Sequence, residues 1–387
     1  MNPEKKEALV KKLKKGLVYA LVLSIVMIAT YQLRKVERVN SLVDEINCRY
    51  RKDSNACVTL GRLAGSQQEW EKVAFYFGKA CDLDDAKTCT LLGTLMIKQK
   101  ELPNAQATAV SSYQKACDLN EIDACMVLGV MFKDGKDIIG TVTEKSAEKA
   151  LKYFQKGCDH HLADACVMLG DLWMNGAENL PKDQAKAVTA LSAACNLKVG
   201  AACDAAIVTI NGNAKGILVA EGKPDAIPLA QKGCALERTG SCAYLGDITV
   251  SGKGVEKSVS KGREYLKKSC SKSPPDNTDV MGEACHALGV SFQTQDEKSD
   301  PQAFEAFKAA CDLKYAQSCT ALAKFYHQGI TVPKSAEKAG ELFLLGCNAG
   351  DKEACLILTK IAEAKEKELK AKAKAAKQKS KTSHKRR

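Results

Sequence analysis

Apolar residues recur at helical spacing along most of the chain, in two alternating phrases. The first opens on a small residue and a cysteine: ACVTLGRLAG from Ala56, ACMVLGVMFKDG from Ala124, ACVMLGDLWMNG from Ala165, SCAYLGDITVSG from Ser241 and SCTALAKFYHQG from Ser318. Counting from the small residue, Leu stands four on, Gly or Ala five on, a larger apolar residue eight on and Gly eleven on. That is an apolar helical stripe ended by a glycine stop. The second phrase closes on a cysteine: SAEKALKYFQKGC from Ser146, SKGREYLKKSC from Ser260 and SAEKAGELFLLGC from Ser335. Its Ser is an N-cap, its helix is amphipathic, and its Cys falls in the last turn. The pattern predicts helix A, a Gly-containing loop, helix B, a short turn and the next helix A. The fold class is all-α, an array of antiparallel helix pairs.

Gly61, Gly93, Gly129, Gly170, Gly246 and Gly289 fall in the middle of helix A. Glycine there costs about 1 kcal/mol against alanine. Its return at one register predicts a packing role, a close approach of helices A and B.

The cysteines pair along the chain as Cys48/Cys57, Cys81/Cys89, Cys117/Cys125, Cys158/Cys166, Cys195/Cys203, Cys234/Cys242, Cys270/Cys285, Cys311/Cys319 and Cys347/Cys355. Seven of the nine pairs have seven residues between the partners. First members of successive pairs lie 33, 36, 41, 37, 39, 36, 41 and 36 residues apart, the period of a repeat array. All 18 cysteines fall into pairs, which argues for disulfides and an oxidising compartment. A metal reading is the weaker one: there is no CxxC, and zinc sites space a ligand pair by two to four residues. Neither a metal nor a cofactor is expected.

These phrases resemble the Sel-one-like repeat family, relatives of the tetratricopeptide repeats. With a cysteine pair in each unit they look most like its disulfide-rich branch, the Helicobacter cysteine-rich proteins. The resemblance covers about residues 48–360. It implies a right-handed α/α superhelix with an extended concave face that binds other proteins. Departures are Ala206 and Ala323 in place of the stripe glycine, a first repeat without the Gly loop, and the widened Cys270/Cys285 pair. The family has also been associated with binding and hydrolysing β-lactams, so a β-lactamase-like role on peptidoglycan fragments stands as the alternative function.

The net charge of +12 would suggest nucleic acid, but its distribution does not. Residues 1–38 carry +6, residues 360–387 carry +9, and the body between them is −3. No nucleic-acid partner is expected. At the N-terminus six lysines precede the uncharged run GLVYALVLSIVMIATYQL, residues 16–33. About 18 apolar residues can just span a bilayer, and the preceding lysines hold the N-terminus in the cytoplasm. Expected organisation is a basic cytoplasmic segment at 1–15, a transmembrane signal anchor at 16–33 and an N-terminal capping helix at 34–56. A repeat solenoid of about eight repeats follows at 57–360, then a Lys/Ala-rich tail at 361–387. The expected location is the bacterial inner membrane, single-pass, with the repeats in the periplasm. A cleaved signal peptide with a periplasmic product, and the mitochondrial intermembrane space, are the alternatives.

Ser-x-x-Lys occurs as Ser146/Lys149, Ser258/Lys261 and Ser335/Lys338. In penicillin-recognising enzymes that spacing supplies a nucleophile and its base. Here each falls at the start of helix B, where Ser caps and Lys begins a polar face, and neither Ser-Asp-Asn nor Lys-Thr-Gly accompanies it. No catalytic residue is assigned. His160 and His161, beside Asp159 and Asp164, could hold a metal, but a solvated turn is the plainer reading; His286 reads as an ordinary helix A residue. The stretch from Ser271 to Ala284, with Pro274 and Pro275, reads as a lengthened inter-repeat loop. The tail from Lys360 should be helical to about Lys377, a solvated end that could also touch anionic lipid or cell-wall polymer.

Overall fold

The computed structural model describes residues 23, 24, 26, 27, 32, 39–135, 145–177, 179–212, 223, 225–271, 277–293 and 300–384. Apart from residues 23, 24, 26, 27 and 32, the apolar run 16–33 lies outside them, as do residues 1–15. Among the described residues no helix is long and apolar enough to cross a membrane.

The chain divides into two compact units, one ending at His160 and the other beginning at His161. In the first unit, α1 (39–50) precedes the pairs α2 (Ser54–Ser66) with α3 (Trp70–Asp82), α4 (Ala86–Lys98) with α5 (Ala105–Asp118), and α6 (Ile122–Asp134) with α7 (Ala147–Asp159). The second unit holds α8 (Ala163–Asn175) with α9 (Gln184–Asn196), α10 (Gly200–Asn211) with α11 (Ala226–Ala235), and α12 (Thr239–Ser251) with α13 (Val259–Cys270). It continues with α14 (Thr278–Gln293) and α15 (Asp300–Asp312), α16 (Ala316–Gln328) and α17 (Ala336–Asn348), and the terminal α18 (Lys352–His384). In each unit an A helix packs on its own B helix, and that B helix on the next A helix. No strand occurs among the described residues; an isolated bridge joins Ala177 and Leu180.

The eight-residue cysteine spacing follows from how helix B ends. In α3 the N–H of Asp84 donates to Cys81 O, and that of Asp85 to Ala80 O. This double bond pattern is the Schellman motif, which requires its middle residue in the left-handed region. Asp84 is there with φ 64°, and so are Asn120 (66°), Lys198 (70°), Glu237 (58°), Lys314 (64°) and Gly350 (99°) at the matching corners. Asp85 then serves at once as the N-cap of α4, its carboxylate accepting from Thr88 N. One cysteine therefore sits at the second-to-last position of helix B, and its partner four residues past the next N-cap. The Cα atoms of Cys81 and Cys89 are 4.7 Å apart, those of Cys117 and Cys125 4.8 Å, and those of Cys234 and Cys242 4.6 Å. The remaining bridges join Cys48–Cys57, Cys195–Cys203, Cys270–Cys285, Cys311–Cys319 and Cys347–Cys355. Cys158 and Cys166 are also disulfide-bonded. In the chain-entropy model each closed loop of about nine residues contributes roughly 2–3 kcal/mol.

The other end of each pair is clasped by a recurring hydrogen bond. The N-cap of helix B donates its N–H to the carbonyl seven residues beyond the second cysteine: Ser146 to Phe132 at 2.8 Å, and Asp183 to Trp173, Ser258 to Thr249 and Ser335 to Tyr326 at 2.9 Å. Neighbouring repeats are joined by a lysine two residues before the first cysteine. Lys115 Nζ reaches Asp82 O at 3.1 Å, Lys156 Nζ reaches Cys117 O at 2.6 Å and Lys232 Nζ reaches Asn196 Oδ1 at 2.9 Å. A cation there also meets the negative end of the preceding helix dipole.

The stripe glycines lie against a large side chain of their own helix B. A methyl group on Gly129 would stand 2.4 Å from Phe154 Cε1; on Gly61 it would stand 2.4 Å from Phe77 Cε1, and on Gly93 2.8 Å from Tyr113 Cε2. In the second unit Gly170 faces Leu191, Gly246 faces Leu266 and Gly289 faces Phe307 in the same way.

Four expectations need correction. By register the stripe position of the fifth repeat is Ile207, four residues past Cys203, while Ala206 takes the leucine place; both are fully buried. The stretch from Ser271 to Ala284 is not loop throughout: residues 272–276 lie outside the described residues, but from Thr278 it is the first part of α14, started by Asn277, whose Oδ1 accepts from Asp279 N and Val280 N at 3.1 Å. The tail helix runs to His384, seven residues past the expected Lys377. Residues 34–56 are not one capping helix, because residues 39–50 and α2 are separate helices with Lys52 left-handed between them.

Alanine at Gly129 tests the close approach. The methyl group gains about 1 kcal/mol of helix propensity. It also forces the buried Phe154 ring aside, an overpacking cost of about 1–3 kcal/mol. A net loss of stability is expected in chemical denaturation, with Gly78→Ala, which meets no atom within 4 Å, neutral or stabilising.

Candidate interaction clefts

The Ser-x-x-Lys spacings resolve into two structural tasks. Ser146 Oγ accepts from Lys149 N and Ser335 Oγ from Lys338 N, both at 3.3 Å, the bonds of an N-cap. The lysine ammonium lies over an aromatic ring of helix A: Lys149 Nζ is 5.2 Å from the Phe132 centroid and Lys338 Nζ 5.4 Å from that of Tyr326. Asp183 and Lys186 repeat the arrangement, with Asp183 Oδ1 accepting from Lys186 N at 3.0 Å and Lys186 Nζ 4.3 Å from the Trp173 centroid. The Lys186 N–H holds the Asp183 carboxyl below its ordinary pKa. Ser258 departs from the pattern. It makes no side-chain cap bond, and the helix A residue at its clasp is Thr249, which offers no ring to Lys261. At Ser146/Lys149 and Ser335/Lys338 the spacing is therefore filled by capping and cation–π contacts.

The histidines separate in the same manner. His160 and His161 are exposed, and His161 has φ 64°. No group of metal-binding side chains forms among the described residues. His286 is more than a helix A residue of no consequence. Its Nδ1 lies 2.8 Å from the buried Ser318 Oγ, and its ring sits 5.1 Å from Tyr315 and 5.5 Å from Phe307. Burial lowers its pKa below the ordinary 6.5, with the Asp351 charge acting weakly the other way. An earlier repeat places Asp204 at the same register, one past the second cysteine. Its carboxylate accepts from Ser241 Oγ at 2.5 Å and pairs with Arg238 Nε at 3.1 Å. Burial raises its pKa, against the pull of Ser241 and Arg238.

What the spacing of cysteines did not reveal is a pair of clefts, one in each unit, at the edge where A–B loops emerge. The first, about 430 Å3, is floored by Met96, Ile97, Leu102 and Met131, with Lys100, Asn104 and Gln106 along its rim. The second, about 530 Å3, is lined by Trp173, Met174, Val208 and Thr209, with Lys182, Gln184 and Asn175. The two are built alike. Each takes the last turn of helix A, the loop and first turn of its helix B, and the last turn of the next helix A. Met96 and Trp173 both stand seven residues past a second cysteine, and Ile97 and Met174 eight past. Clefts of this volume suit a few side chains of a ligand.

An array of short helix pairs with such corners defines a class of repeat scaffold. Residues 122–161, 163–197, 240–274 and 316–351 match the Sel1 repeat family. The matched segments begin at an A helix and end after its B helix, so the described bridges join one repeat to the next. The chain carries Sel1 repeats. It is 31% identical over 127 residues to cytochrome c oxidase assembly factor 7 of Xenopus tropicalis, covering 31% of this chain and 52% of that one. The chain thus spans about half the length of that relative. Among solved structures, c5321, a protective antigen of uropathogenic Escherichia coli with an SLR fold, superposes with TM-score 0.57 at 19% identity, covering 80% of this chain and 65% of that one. A Sel1 repeat protein from Oxalobacter formigenes gives 0.52 at 18% identity, covering 83% and 89%. Cysteine-rich protein B of Helicobacter pylori is 27% identical over 35% of this chain and 92% of its own, with TM-score 0.26. The disulfides belong to a chain matured in an oxidising compartment.

Alanine at Ser146 or Ser335 removes a cap and should cost about 0.5–2 kcal/mol in denaturant titrations. Ser258→Ala should cost less, because no cap bond is lost there.

His286 gives a pH dependence of defined sign. Its folded pKa lies below the unfolded 6.5, so the neutral ring's contribution is complete above that value. As pH falls below 6.5 the unfolded chain takes up the proton first, and stability declines until the folded pKa is passed. Comparison with His286→Asn should show a flatter fall of unfolding midpoint with acidification; an unchanged slope would remove His286 from the account.

Proposed function

We propose that this chain is a tethered scaffold of the cell envelope that holds other proteins against its repeats. The reading is carried by one observation, the recurrence of an apolar-floored cleft of the same construction in both units. Repeat arrays of helix pairs present broad surfaces for partners, and disulfides suit such an array to an exposed compartment. In this proposal residues 16–33 cross the inner membrane once, residues 1–15 stay in the cytoplasm, and the repeats of 57–360 stand in the periplasm. The run of six lysines before an uncharged segment supports that orientation. The tail from 361 to 387 would extend the reach of the array towards anionic lipid or cell-wall polymer. The name of the frog relative, an assembly factor, is in keeping with a protein that brings others together.

Spheroplasts exposed to protease should lose the repeats and keep only the N-terminal peptide. A photocrosslinker at Gln106 or Gln184, at the cleft rims, should give discrete adducts in living cells, and one at exposed Lys372 on α18 should not. Absence of adducts from both rim positions would overturn the scaffold reading, and survival of the repeats under protease would overturn the topology.

A further inference from the structure

We infer that α1 is a self-association helix, which packs in parallel on α1 of a second copy of this chain. Val39, Leu42, Val43, Ile46 and Tyr50 on α1 are between 46% and 80% exposed. They recur at the three- and four-residue spacing of one helical stripe. The stripe points away from the first unit. At about 100° per residue, the side opposite it holds Ser41 and Cys48. Cys48 is buried with Ala56, Cys57, Leu60 and Ala80. The half-buried Ser41, Asp44, Glu45 and Asn47 face inward or sideways. The apolar side of α1 thus meets solvent, the reverse of an ordinary surface helix.

Register sets this stripe apart from the later repeats. α1 stands where a helix B stands, carrying the first cysteine of a pair. Nine residues before that cysteine it has Val39, where each later repeat has a polar residue, Lys72, Lys149, Lys186 and Lys338 among them. Two residues before it stands Ile46, where α3, α5, α7, α11 and α13 have lysine. A face that later repeats keep charged has become apolar on α1.

A second α1 fits this face best. Val39, Val43, Ile46 and Tyr50 step by four, three and four residues, the a and d positions of a heptad, and Val36 continues the spacing in the sequence. In a parallel pair Val43 meets Val43 and Ile46 meets Ile46, so no charge enters the seam. With Cys48 on the far side, the first unit of each copy lies outside the seam. A bilayer surface suits the stripe less well, because interfacial helices carry Lys and Arg on the polar face. Here that face holds Asn40, Asp44, Glu45 and Asn47, and Arg49 is paired with Glu45 at 3.0 Å. Leu23, Val26 and Met27 of the apolar run are themselves exposed, so none of these three covers it. Residues 39–50 give about 18 Å of seam. That is less than the roughly 800 Å2 per partner of a standard stable interface. Tethering in one membrane raises the effective concentration and gives both copies the same direction; in this respect the inference rests on the tethered-scaffold reading.

The test uses the full chain in native membranes, co-expressed as two copies with different affinity tags. A photocrosslinker at Val43 should give a product that carries both tags, and peptide mapping should place the link within residues 39–50 of the other copy. The same crosslinker at exposed Lys87 on α4 should not. Ile46→Lys restores the lysine of the later helices. It should cut the two-tag yield by about tenfold or more, because two ammonium groups would meet across an apolar seam. Val39→Lys should act in the same direction and Ile46→Leu should keep the yield, all three with unchanged helical circular dichroism. A missing two-tag product at Val43, a link mapped outside residues 39–50, or a yield indifferent to both lysine variants would overturn the inference. Adducts to lipid would overturn it in favour of the bilayer surface, and links to residues 16–33 of the same copy in favour of that segment. Adducts at Gln106 and Gln184 without a two-tag product at Val43 would remove self-association and leave the scaffold reading standing.

Discussion

Each corner whose two cysteines stand eight residues apart turns on a residue held in the left-handed region, with the helix before it and the helix after it sharing the same few atoms. The Schellman bonds end helix B, and the residue that donates the outer one is already the N-cap of the next helix A. Asp84 and Asp85 do this between α3 and α4, and Glu237 and Arg238 between α11 and α12. A left-handed non-glycine residue costs about 1–2 kcal/mol. A nine-residue disulfide loop contributes roughly 2–3 kcal/mol in the opposite direction. The cysteine bridge therefore offsets the cost of a corner that ordinary side chains would otherwise resist. With the corner set, the direction of each new helix is set too. The stripe glycine can then meet its ring, and the loop-edge clefts arise where consecutive A helices end.

Much of this was legible in the residues. The period, the helix pairs, the Gly stops and the packing role of the stripe glycine all follow from side-chain size and helical spacing. The Ser caps were legible as well, because Ser before an acidic, amphipathic run has few other uses. The left-handed corners were not. Lys198, Glu237 and Lys314 carry no turn propensity, and tertiary context imposes their backbone. The stripe position of the fifth repeat was misplaced by one residue, since Ala206 resembles a small stripe residue by type and only packing shows Ile207 in that place.

The candidate site was less legible than the fold. A cleft made from the ends of three helices has no local motif, so Met96 and Met131 read from sequence as ordinary core residues. The signal was present in register: the residues seven and eight past each second cysteine change size and chemistry from repeat to repeat, while those three and four past it change little. His286 was hidden for the opposite reason. A single histidine beside a cysteine gives no hint that the next repeat will bury it against Ser318 and two aromatic rings.

Because each described bridge closes within one corner, oxidation need not wait for the whole chain. A lengthening chain presents one cysteine and, a few residues later, its proper partner, before the next repeat has appeared. Thiols that meet in the order of synthesis have little opportunity to mispair, though a chain with 18 cysteines could in principle scramble badly. The same locality makes the repeat a unit of inheritance. A duplicated or deleted repeat carries off one half of a bridge at each end and restores a whole bridge at the junction, so the array can lengthen or shorten without leaving an orphan thiol.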